Sequence, residues 1–169
     1  IIKKYSDHIS QPVYLKDFNS KDNNDKPINT ASAIWTRDKK EISAEQYKEF
    51  YNSTGMTYDE PWLILHNKNE GIINYTNLIF IPSTRPFDLF ATEKKINLKL
   101  YVKRVFVTDN CENILPTYLR FIKGIIDSED ISLNISREML QNNPAIIKIN
   151  NGLVKKIINE LKRKCEKSY

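Results

Sequence analysis

Leu133-Asn-Ile-Ser-Arg-Glu-Met-Leu-Gln141 is the stretch around which the chain is organised, a turn running into a short helix. Leu133 and Ile135 alternate with polar neighbours, as the last extended residues of a buried segment do. Ser136 is a good N-cap, because its hydroxyl accepts a bond from an otherwise orphan amide of the first turn. Glu138 follows where the positive end of the helix dipole favours an anion. Arg137 breaks this logic, since a cation at the first helical position is disfavoured by roughly 0.3–1 kcal/mol. Gln141 lies four residues on and projects from the same face, while Met139 and Leu140 point elsewhere. A planar cation and an amide side by side can grip a phosphate oxygen and position a second polar group. The bland alternative is that Arg137 pairs with Asp127, Glu129 or Asp130 and only pins the loop, as most exposed ion pairs do. Local sequence leaves both readings open.

Working outward, Leu115 to Ile126 reads as a helix with Pro116 in its first turn, where proline is tolerated, and Leu119, Ile122 and Ile126 on its buried side. Downstream, Asn143-Pro144 places a cap before a first-turn proline. Ile146, Ile149, Leu153, Ile157, Leu161 and Cys165 then recur at helical steps through Gly152, which predicts one long helix. Leu98 to Val107 has the strongest strand pattern, alternating at first and then continuously apolar. Phe106 within it reads as core. Two further strands, Trp62–Leu65 and Thr76–Ile81, flank a turn around Asn69-Glu-Gly71 and are expected to pair antiparallel. Ser43 and Gln46 form a capping-box pattern that opens a helix with Tyr47, Phe50 and Tyr51 on its apolar face, ended by Gly55. Ala31 to Thr36 reads as a strand carrying Trp35, and Val13-Tyr-Leu15 as the start of another. Ile1 to Ile9 allows a short amphipathic helix. Asn19 to Pro27 is polar throughout and is expected to be an exposed, mobile excursion. Pro82 and Pro86 bracket a rigid loop, with Phe87-Asp-Leu-Phe90 packing back.

The chain has 169 residues, room for one ordinary domain. With 40% hydrophobic and 28% charged residues it is globular in composition. No apolar run approaches the ~20 residues of a membrane helix. The start, Ile1-Ile-Lys-Lys-Tyr-Ser-Asp7, reads as a cut inside a longer protein, without a signal peptide. Cys111 and Cys165 lie far apart, and His8 and His66 belong to no ligand cluster, so no metal site is expected. The net charge of +5, from 26 basic and 21 acidic residues, is dispersed. It allows weak nucleic-acid attraction and makes a weak nucleic-acid-binding α/β module the alternative function, but there is no concentrated stripe with aromatic platforms and so no specific nucleic-acid partner is expected. No Gly-rich phosphate loop or paired catalytic carboxylates mark an enzyme complete in itself.

The run Ile126-Asp-Ser-Glu-Asp-Ile-Ser-Leu-Asn-Ile-Ser-Arg-Glu-Met-Leu-Gln141 resembles the catalytic loop in the middle domain of the ninety-kilodalton heat-shock chaperones. Four more segments match that domain in order: Ile34-Trp-Thr-Arg37, Leu78-Ile-Phe-Ile-Pro82 with Pro86-Phe-Asp-Leu-Phe90, Lys99-Leu-Tyr-Val-Lys-Arg-Val-Phe106, and Tyr118-Leu-Arg-Phe-Ile-Lys-Gly124. The resemblance covers essentially the whole chain and is closest to bacterial members. Element order gives an α/β domain with a mixed sheet covered by helices, and the resemblance implies the larger αβα subdomain of the middle segment, residues 1–169 forming a single unit. It also implies that ATP and Mg2+ bind in a separate N-terminal domain, so no cofactor is expected in this chain itself. When the domains dock, Arg137 would reach the γ-phosphate and Gln141 would sit near the attacking water. Phe106 would contact the nucleotide domain. Trp35 reads as core, the usual fate of tryptophan, while the resemblance implies that it touches client proteins, in which case it should lie partly exposed. Implied partners are the chain's own nucleotide and dimerisation domains, unfolded or partly folded clients and a second copy in a homodimer. The implied setting is the cytoplasm, away from membranes.

Overall fold

The computed structural model describes residues 1–15, 26–55, 59–86, 89, 96–109, 111–132, 140 and 143–166. Its centre is β5 (Lys123–Ser128), buried at every position. Among the described residues, five strands form one mixed sheet in the order β1-β2-β5-β3-β4. β1 (Pro61–Asn69) and β2 (Tyr75–Pro82) make the expected antiparallel hairpin. β2 runs antiparallel to β5, with Leu78 opposite Ile125. On its other side β5 lies parallel to β3 (Asn97–Val102), which turns back into β4 (Val105–Thr108).

Side chains alternate across a strand, and this sheet sends each set to its own core. Leu78, Phe80, Tyr101 and Ile125 face Ala33, Trp35 and Tyr51, with Tyr47 and Phe50 of helix α2 (Ala44–Gly55) packed against them. Ile79, Ile81, Leu98, Leu100 and Ile126 face the other way. There they meet Ile146, Ile149, Leu153 and Ile157 of helix α3 (Pro144–Glu166). The result is the α/β class foreseen, a helix layer on each face of a mixed sheet, ending in the long helix.

Both long helices start as their sequences predict. The Ser43 hydroxyl accepts from the Gln46 amide at 3.3 Å, and the Gln46 side chain accepts from the Ser43 amide at 3.1 Å. Asn143 Oδ1 accepts from the Ala145 amide at 2.8 Å, ahead of Pro144. Gly152 sits inside α3 where a Cβ would come 3.3 Å from the Tyr75 hydroxyl, so its smallness lets the helix close on the sheet. A short helix α1 (Ile2–Tyr5) precedes these. Asn29 is buried, accepting from the Val13 amide at 2.8 Å, and the Ile28 amide donates to Val13 O. The two ends of the polar excursion are thereby tied together, while residues 16–25 and most of Phe87–Phe90 lie outside the described residues.

Four expectations are corrected. Leu115 to Ile126 is not a helix: a 3-10 turn at Thr117–Leu119 leads into β5. A strand buried on both faces shows no alternation, and Ile126 of β5 falls at helical spacing from Leu119 and Ile122 ahead of it. Leu98 to Val107 is not one strand but the β3–β4 hairpin, turned at Lys103-Arg104. Ala31 to Thr36 is not a strand: Ile34–Thr36 forms a 3-10 turn that carries Trp35 inward. Val13–Leu15 forms no strand of the sheet among the described residues.

Candidate functional site: a cationic cleft where the central strands end

β3 and β5 are parallel, so both end at the same edge of the sheet, and a cleft of about 860 Å³ opens there on the α2 side. Its floor is built from Trp35, His66 and Asp127. Asp127 occupies the inward position next to the end of β5 and is 6% exposed. Its Oδ2 accepts from Trp35 Nε1 at 2.8 Å and its Oδ1 from the Arg104 backbone amide at 3.2 Å. Burial raises the Asp127 carboxyl above its ordinary value, opposed by the Trp35 bond and by Arg104. These donors are what a desolvated carboxylate requires.

The same carboxylate fixes the hairpin turn. Lys103 and Arg104 have φ of 50° and 66°, the left-handed region that side chains seldom occupy. Such a pair suits the twist of a two-residue hairpin, although Asn-Gly is the usual choice. Asp127 holds Arg104, and Ser128 O accepts from the Lys103 amide at 3.1 Å. Both long side chains thereby line the cleft.

His66 completes the floor. Its Nε2 lies 2.8 Å from the Trp35 carbonyl and its Nδ1 lies 2.7 Å from the Tyr47 hydroxyl. A carbonyl only accepts, so Nε2 carries the proton and Nδ1 accepts from Tyr47. Burial lowers the His66 pKa below 6.5, against the Trp35 carbonyl, which favours the charged ring. Tyr101, packed on Trp35 at 4.9 Å between ring centroids, has its pKa pushed up to about 12 by burial, with the Asp7 and Asp127 charges adding.

Around this floor stand Arg37, Lys39 and Lys68, which with Lys103 and Arg104 make five cations. Three carboxylates, Asp38, Asp127 and Glu129, lie among them. Arg37 Nη2 donates to Glu41 O at 2.8 Å, and Asp38 caps a 3-10 turn by accepting from the Lys40 amide. Beyond Asp127 the chain is tied to the β1–β2 turn. The Glu129 amide donates to Asn74 O, and the Asn74 amide donates to Asp130 Oδ2 at 2.6 Å. The segment that follows leaves from this pinned point.

Of the residues singled out in the sequence, Arg137 and Gln141 lie outside the described residues. Trp35 lies at the cleft but is 1% exposed, which bears out the core reading and not the partial exposure that direct client contact would ask for. Its indole serves as a buried anchor, as tryptophan usually does when its N–H finds a partner. Phe106 is half-buried in β4, 5.6 Å from Tyr101 and 6.0 Å from Tyr5 between ring centroids. Sequence reasoning considered Asp127 only as a possible partner of Arg137 and gave no role to His66, Arg37, Lys68, Lys103 or Arg104. Nothing local marks them, because β5 brings them together across 92 residues from Trp35 to Asp127. Among the described residues no group of His, Cys, Asp and Glu could hold a metal ion, and no helix is long and apolar enough to cross a membrane.

The family model described as Hsp90 protein matches residues 11–169. The chain is 57% identical over 166 residues to the chaperone protein HtpG of Paramagnetospirillum magneticum, covering 98% of this chain and 26% of that protein. It is 53% identical over 168 residues to the HtpG of Rickettsia bellii and 54% to that of Rickettsia canadensis, each match covering 99% of this chain and 27% of the relative. The chain thus spans about a quarter of the length of the curated relatives it matches. The resemblance first seen in a handful of segments therefore holds along the whole chain, and the protein belongs to the Hsp90 family of chaperones.

Proposed function

We propose that this chain is the middle segment of an ATP-dependent chaperone and completes a nucleotide site held by a separate domain. Arg137 would meet the γ-phosphate and Gln141 the attacking water once the domains dock. A guanidinium presents donors in a fixed fork and stabilises charge on a transferring phosphoryl group. Mounting it on the segment after β5 makes chemistry conditional on closure. ATP and Mg2+ belong to the other domain, Phe106 to the inter-domain contact, and the whole protein works as a cytoplasmic homodimer on partly folded clients. Trp35 would support a client-facing surface from beneath, through Asp127 and the turn that it clamps.

The observation that carries this reading is a family match at more than half identity that runs through residues 133–142. Titrating ATP into the 169-residue chain alone tests the division of labour. No binding in the micromolar range is expected. Micromolar binding by calorimetry would put a nucleotide site in this chain and overturn the reading.

A further inference from the structure

The cleft does not end at Lys68, Thr76 and Glu129. The same three residues line a second hollow of about 250 Å³ that runs on to Asn69, Glu70 and Asn74. Together the two make a groove along the end of the sheet, from Arg37 past the Lys103-Arg104 turn to the β1–β2 turn. Its charge is uneven. Asp127 is taken up by Trp35 and Arg104, and Asp38 by the Lys40 amide. Lys103 is exposed, with no carboxylate of the described residues paired to it. Lys68 is also largely exposed; it pairs with Glu70 and feels the Glu129 charge, a surface arrangement that water screens and a ligand can exchange.

The turn sharpens the point. Glycine would hold two left-handed positions without steric cost, yet long cations stand at both and two hydrogen bonds hold them there. What the strained turn achieves is to present two adjacent cations over the groove.

We infer that this groove docks an extended polypeptide segment carrying spaced acidic side chains. Length favours a chain over a compact anion. So does the lining, because Glu129 and Asp127 stand between the cations. A triphosphate would bring concentrated charge against those carboxylates, whereas glutamates separated along a backbone can meet Lys68, Lys103 and Arg37 in turn. Neutral groups between them, such as Thr76, suit a peptide backbone. The inference stands apart from the role of Arg137, since every groove residue it uses lies between Trp35 and Glu129 and no nucleotide enters it.

The test uses the 169-residue chain and a fluorescein-labelled peptide of alternating glutamate and glycine, read by anisotropy. Binding is expected, weakening several-fold as salt rises from low to physiological concentration. Lys68→Glu and Lys103→Glu, both at exposed positions, should each weaken it about five- to ten-fold with unchanged melting. Lys162→Glu, on the exposed side of α3, should leave it unchanged. Failure of the peptide to bind, or equal weakening by Lys162→Glu, would overturn the inference. So would displacement by tripolyphosphate at concentrations where a glycine-glutamate competitor fails, because the groove would then recognise compact phosphate. None of these outcomes bears on ATP hydrolysis.

Discussion

At the scale of single residues, Gly124, Trp35 and His66 concentrate the physics. Gly124 in β5 has φ of 139°, and a Cβ there would fall 2.2 Å from the Leu78 carbonyl oxygen. Backbone cannot yield as a flexible side chain can. Gly124→Ala should therefore destabilise the protein by about 2–4 kcal/mol, read as a lowered denaturant midpoint. Trp35→Phe keeps a ring in the core but leaves Asp127 without its 2.8 Å donor. An unmatched buried carboxylate costs ~1–3 kcal/mol, so this variant should melt markedly lower, and Asp127→Asn should recover part of the loss in the double variant. With Trp62 replaced by phenylalanine, the remaining Trp35 fluorescence should be blue-shifted and resistant to quencher. His66 adds a pH dependence. Its folded pKa lies below 6.5, so the unfolded chain binds the proton more readily. Its contribution is present above pH 6.5 and is lost as pH falls through the lowered folded value. His66→Gln should flatten the decline in melting temperature over that acidic window.

At the scale of elements, helices α2 and α3 were legible because caps and periodicity agreed, and the β1–β2 hairpin because a turn around Asn69-Glu-Gly71 sits between two apolar runs. β5 was not. Buried on both faces, it offers no period to read, and its neighbours β2 and β3 are distant in sequence. The β3–β4 turn was hidden for a different reason. Lys103-Arg104 carries no turn chemistry of its own, and its shape is imposed by Asp127 and Ser128 from another strand. Tertiary contacts won over local preference at both places. That account predicts an uncommon pairing of effects at the turn. Lys103→Gly should relieve left-handed strain and raise stability by up to about 1 kcal/mol. The same substitution should weaken binding of the glutamate peptide, so thermal melting and affinity would move in opposite directions.

At the scale of the whole molecule, the sheet divides the labour between its faces. The α3 face supplies the larger core, with Ile146, Ile149, Leu153 and Ile157 fully or nearly fully buried. The α2 face ends in the cleft, where buried polar groups are held by one another rather than by packing alone. The segment that carries Arg137 starts at that end of the sheet, anchored through Glu129 and Asp130 to the β1–β2 turn. Its candidate role is what the family resemblance implies, local sequence having left the ion-pair reading open; the groove was not legible at all, being assembled from strands far apart.

The central claim is that Arg137 acts on another domain's phosphate rather than on its own loop. The measurement that tests it is the steady-state ATPase rate of the full-length protein carrying Arg137→Lys, with its thermal melt taken on the same sample. Lysine keeps the charge but loses the planar fork. Removing an arginine finger costs roughly 10³–10⁵ in rate in well-studied phosphoryl-transfer systems, and a loss of about ten-fold or more is expected here, where docking contacts elsewhere survive. Stability should change by no more than ~0.5 kcal/mol, as for an ordinary surface substitution. An unchanged rate would remove Arg137 from the mechanism, and a lost rate with a collapsed melt would make it a structural residue instead.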